Sequence, residues 1–135
     1  MTKPVMVKTI YLKADPEKVW RYITKKEKLA QWFHETDRDL DEKASFQYYS
    51  FHDDKEDRKL MWGDVIEADP PNKLVHTFTH QWLEGVITTV TWELMAVDGG
   101  TQLTMTHDGI TTFGELVGHD KGWDEHLLRL RMMLS

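Results

Sequence analysis

Cysteine is absent from the 135 residues, which rules out a disulfide framework, a thiolate metal site and a cysteine nucleophile. Long apolar runs are missing as well. No segment approaches the ~20 residues that span a bilayer, and Met1-Thr2-Lys3-Pro4-Val5 has no apolar signal core. A cytoplasmic, soluble protein without membrane insertion is the expectation. Serine is scarce: Ser45, Ser50 and Ser135 are the whole set, and none sits in the Gly-x-Ser-x-Gly elbow that presents a hydrolase nucleophile. A Gly-rich phosphate loop, a dinucleotide fingerprint and a His-Glu-x-x-His pair are also lacking, so no cofactor is expected. Positive charge is in deficit, with 17 Lys and Arg against 23 Asp and Glu and a formal charge of −6. That balance opposes phosphate backbones and excludes nucleic acid as the expected partner.

What is present fits one domain over residues 1–135, because a second core would leave each half with too little buried surface. A hydrophobic fraction of 40% with six tryptophans supplies ample apolar area for that core. The acidic stretches Asp37-Arg38-Asp39-Leu40-Asp41-Glu42 and Asp53-Asp54-Lys55-Glu56-Asp57 read as solvated loops, since their charges are interspersed.

Periodicity gives the elements. Val5 to Leu12 is rich in β-branched and aromatic residues and reads as a strand. Asp15-Pro16 opens a helix: the Asp carboxylate can accept from a free backbone N–H, and proline at the first helical position wastes no donor. Val19, Tyr22 and Ile23 share one face of it, and Leu29, Trp32 and Phe33 form the stripe of a second short helix. Strands follow at Ala44–Ser50, Leu60–Ala68 and Leu74–His80, the last two joined by Asp69-Pro70-Pro71-Asn72, which cannot continue a ladder. Val86–Val97 and Thr101–His107 flank Asp98-Gly99-Gly100, whose glycines accept the positive φ of a tight hairpin. Val90, Trp92 and Leu94 face one way in that hairpin, matched by Leu103, Met105 and His107. Gly114, Gly118 and Gly122 read as loop punctuation. A last helix then carries Trp123, Leu127, Leu130 and Leu134 on one stripe, widened by Leu128 and Met132. Sheet and stripe satisfy each other by packing. The expected class is α+β: a curved antiparallel sheet of about six strands, two short N-terminal helices, and a long C-terminal helix over an apolar cavity.

Asp15-Pro16-Glu17-Lys18-Val19-Trp20, Leu29-Ala30-Gln31-Trp32-Phe33 and Gly63-Asp64-Val65-Ile66-Glu67-Ala68-Asp69-Pro70-Pro71-Asn72-Lys73-Leu74-Val75 occur in that order. They are followed by Val90-Thr91-Trp92-Glu93-Leu94, by Gly100-Thr101-Gln102-Leu103-Thr104-Met105-Thr106-His107-Asp108-Gly109, and by Gly122-Trp123. The ordered set resembles the family of activator of heat-shock-protein-ninety ATPase homologues over roughly Val5 to Leu134. The resemblance implies the helix-grip fold of the steroid-transfer-domain and birch-pollen-allergen superfamily, with a ligand cavity under the C-terminal helix. It also implies hydrophobic-ligand binding, because the co-chaperone role belongs to larger members with an added N-terminal domain.

The expected function is therefore non-catalytic binding of a small hydrophobic molecule, as a monomer or homodimer. The expected contact residues are Trp32, Phe46, Tyr48, Trp62, Phe78, Trp92, His107, Phe113, Trp123 and Leu127, aromatic or apolar groups with Tyr48 and His107 as polar handles. A cyclase-like enzyme in the same cavity is the first alternative, with His107, Tyr48 or Asp64 as its acid or base. A chaperone partner docked on the acidic loops around Asp39 and Asp54 ranks last. No metal is expected: His76 and His80 share a side of one strand but stand about 13 Å apart.

Overall fold

The computed structural model describes residues 2–49 and 59–135. The acidic stretch at 53–57 lies outside the described residues, as does the side chain of Tyr48. In chain order the elements are β1 (Met6–Leu12), α1 (Pro16–Thr24), α2 (Lys26–Trp32), β2 (Glu35–Thr36), β3 (Ser45–Tyr49) and β4 (Lys59–Asp69). They continue with β5 (Lys73–His80), a 3-10 turn (Gln81–Leu83), β6 (Thr88–Val97), β7 (Gly100–Asp108) and α3 (Phe113–Met133). The fold is α+β. Its antiparallel sheet runs β1-β7-β6-β5-β4-β3-β2, so the six expected strands are joined by the two-residue β2. None of the described helices is long and apolar enough to cross a membrane.

The local signals act as their chemistry dictates. Asp15 Oδ1 accepts from the Lys18 N–H at 2.8 Å, and Pro16 opens α1. At the β6–β7 turn Gly99 has φ 90°, and the strands pair Val90 with His107, Trp92 with Met105 and Leu94 with Leu103. All six side chains are buried. Gly63 of β4 allows a close approach: a Cβ there would lie 2.1 Å from the Thr77 carbonyl oxygen and 3.0 Å from Phe46 Cζ. The acidic stretch at 37–42 is structural. Lys25 Nζ donates to Asp41 Oδ2 at 2.6 Å, Asp39 Oδ1 accepts from the Lys26 N–H, and Asp37 Oδ1 accepts from the Gln47 N–H.

Three expectations need correction. Gly114, Gly118 and Gly122 lie inside α3, which begins at Phe113 behind a Thr112 cap; packing and capping outweigh a glycine cost of about 1 kcal/mol each. Leu128 and Met132 do not widen the buried stripe, being 55% and 70% exposed. Val86 falls in the loop before β6. The rest of the stripe holds: Trp123, Leu127, Leu130 and Leu134 are buried against the concave face of the sheet with Met105, Leu103 and Val90.

Candidate functional site

Two tryptophan–histidine pairs fix the interior beneath α3. The Trp123 indole N–H donates to His107 Nδ1 at 2.9 Å, and His107 Nε2 lies 2.7 Å from Thr88 Oγ1. The Thr88 hydroxyl gives its own proton to the Phe78 carbonyl at 2.6 Å, so Nε2–H of His107 must be the donor to it. His76 is held in the same manner: its Nε2 accepts from the Trp92 indole at 3.1 Å while Nδ1–H donates to the Thr77 carbonyl. Burial pushes His107 down to about 3, with the neighbouring His119, His76 and His80 adding to the effect. Burial likewise pushes His76 down to about 4. Both are neutral imidazoles with each nitrogen committed, a satisfied polar core rather than a pair of reactive bases.

Aromatic rings fill the space around them. Phe33 stacks on Trp123 with centroids 5.2 Å apart, Trp123 meets Trp92 edge-on at 5.5 Å, and Trp92 meets Trp32 edge-on at 6.1 Å. Above this column, between the first half of α3 and the ends of β4 and β5, an open cavity of about 310 Å³ remains. Its apolar wall is Phe33, Met61, Phe78 and Trp123, with Trp82 at the rim and 57% exposed. Gly118 and Gly122 form the helix side, and an added Cβ at either would meet nothing within 4 Å.

The polar rim is His80, Glu115, His119 and His126. His80 Nδ1 accepts from the Trp82 N–H at 3.2 Å, which leaves Nε2–H to donate to His119 Nε2 at 2.9 Å. His119 Nδ1–H then donates to the Glu115 carbonyl at 2.6 Å. His126 Nδ1 accepts from Arg129; burial first, then His34 and Arg129, push it down to about 3.

Of the ten expected contact residues, the cavity brings together Phe78 and Trp123. Trp32, Phe46, Trp92, His107 and Leu127 are buried in the core beneath it. Trp62 alternates away from the inward-facing Met61 and Gly63 and is only half-buried. Phe113 is 74% exposed at the start of α3, beside Val5 and Val7. The side chain of Tyr48 is outside the described residues. Of the alternative acid–base candidates, Asp64 is exposed and accepts from the Ser45 hydroxyl. Sequence reasoning missed Phe33, Met61, His80 and Trp82 as cavity residues and, on α3, Glu115, Gly118, His119, Gly122 and His126. The signal for those on α3 was the three- and four-residue spacing that continues the Trp123 stripe toward the N-terminus of the helix.

Known proteins agree with this architecture. Residues 13–135 match the family described as Activator of Hsp90 ATPase homolog 1-like protein. Among solved structures, the protein MLL2253 from Mesorhizobium loti is similar at TM-score 0.84 and 21% identity, covering 97% of this chain and 96% of that one. CalU16 from Micromonospora echinospora is similar at TM-score 0.81 and 23% identity, over 97% of this chain and 76% of that one. PFC0360w, an HSP90 activator from Plasmodium falciparum, has TM-score 0.79 and 22% identity over 96% of this chain and 95% of that one. No curated protein matches the chain. At such identities the likeness speaks for the fold, and the family match, which runs from the end of β1 through α3, shows that this chain belongs to the Activator of Hsp90 ATPase homolog 1-like family.

Proposed function

We propose that the chain binds a small, mostly apolar molecule in the cavity between α3 and the sheet, without converting it chemically. The observation that carries this reading is the pair Gly118 and Gly122. Each weakens the helix by about 1 kcal/mol relative to alanine, nothing within 4 Å crowds a Cβ at either, and both border the cavity. A helix whose only task was packing would gain by filling that space; one that must leave room for a guest would not. The volume of about 310 Å³ stands at the small end of ligand sites, which run to ~300–1,000 Å³. Burial of guest carbon contributes on the order of 25 cal/mol per Å², less the ordering costs.

A non-catalytic role is supported by two of the three acid–base candidates read from the sequence, the side chain of Tyr48 lying outside the described residues. His107 sits below the cavity wall with both ring nitrogens engaged, and Asp64 is exposed and bonded to Ser45. A chaperone-docking role through Asp39 is weakened by its ties to Lys25 and Lys26. The test is titration of the intact chain with an anilinonaphthalene sulfonate probe and a panel of short-chain lipids and aromatics, read by probe and tryptophan fluorescence. Saturable one-to-one binding is expected in the parent, and the Gly118→Leu/Gly122→Leu variant should keep its fold by circular dichroism yet lose that binding. Equal binding by both proteins, or none by the parent, overturns the reading.

A further inference from the structure

We propose that His80, Glu115 and His119 hold a divalent ion of the zinc class at the cavity mouth. Glu115 and His119 are four residues apart on α3 and share one of its faces, while His80 ends β5 and meets them from the sheet. One ligand atom from each side chain lies within 4.8 Å of the other two. The two imidazole Nε2 atoms are 2.9 Å apart. Tetrahedral zinc with Zn–N bonds of ~2.0–2.1 Å sets two ligand nitrogens roughly 3.3 Å apart, so the two imidazoles must spread by about 0.4 Å, and the Glu115 carboxylate, whose Oε2 lies 3.6 Å from His119 Nδ1, must turn toward the Nε2 side to complete the set.

The surroundings favour the metal-ready form of His119. Its Nδ1–H is held by the Glu115 carbonyl at 2.6 Å, which leaves the lone pair on Nε2 and fixes the ring, the support that ligating histidines usually receive. Two imidazoles and one carboxylate form a donor set suited to zinc rather than to magnesium or calcium, which prefer oxygen alone. Three protein ligands leave a fourth position. Because all three residues line the cavity, that position faces it, open to water or to an oxygen of a guest.

One hydrogen bond is exchanged in the process. Without the ion, His80 carries its proton on Nε2 and accepts the Trp82 N–H on Nδ1 at 3.2 Å. Coordination through Nε2 requires that proton to leave and Nδ1 to take one up, so the Trp82 contact gives way to a metal bond. The site thus joins α3 to the sheet through residues 35 and 39 positions apart along the chain, and the sequence places no pair of its ligands closer than Glu115 and His119.

The test uses the intact chain, first dialysed against chelator, then titrated with Zn²⁺ by calorimetry and with Co²⁺ by visible absorption. One equivalent should bind, Co²⁺ should give the intense bands of a four-coordinate site, and the Trp82 backbone amide should shift in a ¹⁵N correlation spectrum. The His119→Ala variant should lose affinity on the order of 100-fold, and Glu115→Gln should also bind more weakly. Circular dichroism checks both folds, and Glu115→Gln decides if His119→Ala unfolds. Absence of saturable binding at one equivalent, or unchanged affinity in the folded variants, overturns the proposal. No apolar guest is present in this titration, so its failure is distinguishable from failure of guest binding.

Discussion

At the scale of single residues, the buried threonine Thr88 closes a chain of donors from Trp123 through His107 to the Phe78 carbonyl. Thr88→Val keeps the shape but leaves the His107 Nε2–H without its acceptor in the core and takes one donor from the Phe78 carbonyl. We expect a loss of about 1–3 kcal/mol in urea unfolding; a loss below ~0.5 kcal/mol would mean the chain is not closed as described. His76 carries a pH dependence. Burial pushes His76 from the ordinary histidine value of 6.5 down to about 4 in the folded chain, so between those values the unfolded chain binds the proton and the folded chain does not. Stability is complete above pH 6.5 and falls as the pH drops toward 4, by up to about 1.4 kcal/mol per pH unit for this one group. Urea midpoints measured from pH 7.5 to 4.5 check the sign, and His76→Gln should lessen the slope without abolishing it, because His34, His107 and His126 are pushed down in the same sense. That His107 points inward was legible from strand alternation, whereas for His76 the alternation fixed only a shared side with His80. The indole partners were not: the His107–Trp123 bond joins a strand to α3 and depends on curvature and helix placement, and the His76–Trp92 bond crosses from β5 to β6 and depends on their register, neither of which a short-range pattern encodes.

At the scale of elements, the β6–β7 hairpin was readable because Gly99-Gly100 and two alternating runs specify turn and register together. The start of α3 was not, because three glycines inside a helix contradict its propensity. The glycines also separate two roles. Gly114 does not line the cavity and has open space around it, so Gly114→Ala should raise stability by about 0.5–1 kcal/mol and leave guest affinity unchanged. Thermal melts with probe titration test this directly. Gly63 is the opposite case: Gly63→Ala drives a Cβ against the Thr77 carbonyl, and a loss of about 2 kcal/mol or more in unfolding free energy is expected as β4 and β5 separate.

At the scale of the whole molecule, the curved sheet gripped by a terminal helix followed from two apolar surfaces that needed each other. The site was legible only in part. Strand alternation and helical spacing say which residues face inward but not how deep they end, and Trp32, Trp92 and His107 turned out to be the filling beneath the cavity rather than its wall. The two halves of α3 differ accordingly. Positions 113–122 are all exposed or half-buried and are held by Leu116 against the core edge and by polar contacts such as Lys8 to Asp120 and His80 to His119. Beyond them Trp123, Leu127 and Leu130 are buried, Arg129 donates to the Trp32 carbonyl, and the Leu134 carbonyl accepts from the Lys13 N–H. Amide exchange should therefore be faster across 113–122 than across 123–133, a gradient that native-state exchange measures residue by residue. The rod is hung from its tail, like a door on one hinge. Entry and exit of a guest would then need only the free end to swing, and its residence would follow that motion while the β-ribbon below stays shut.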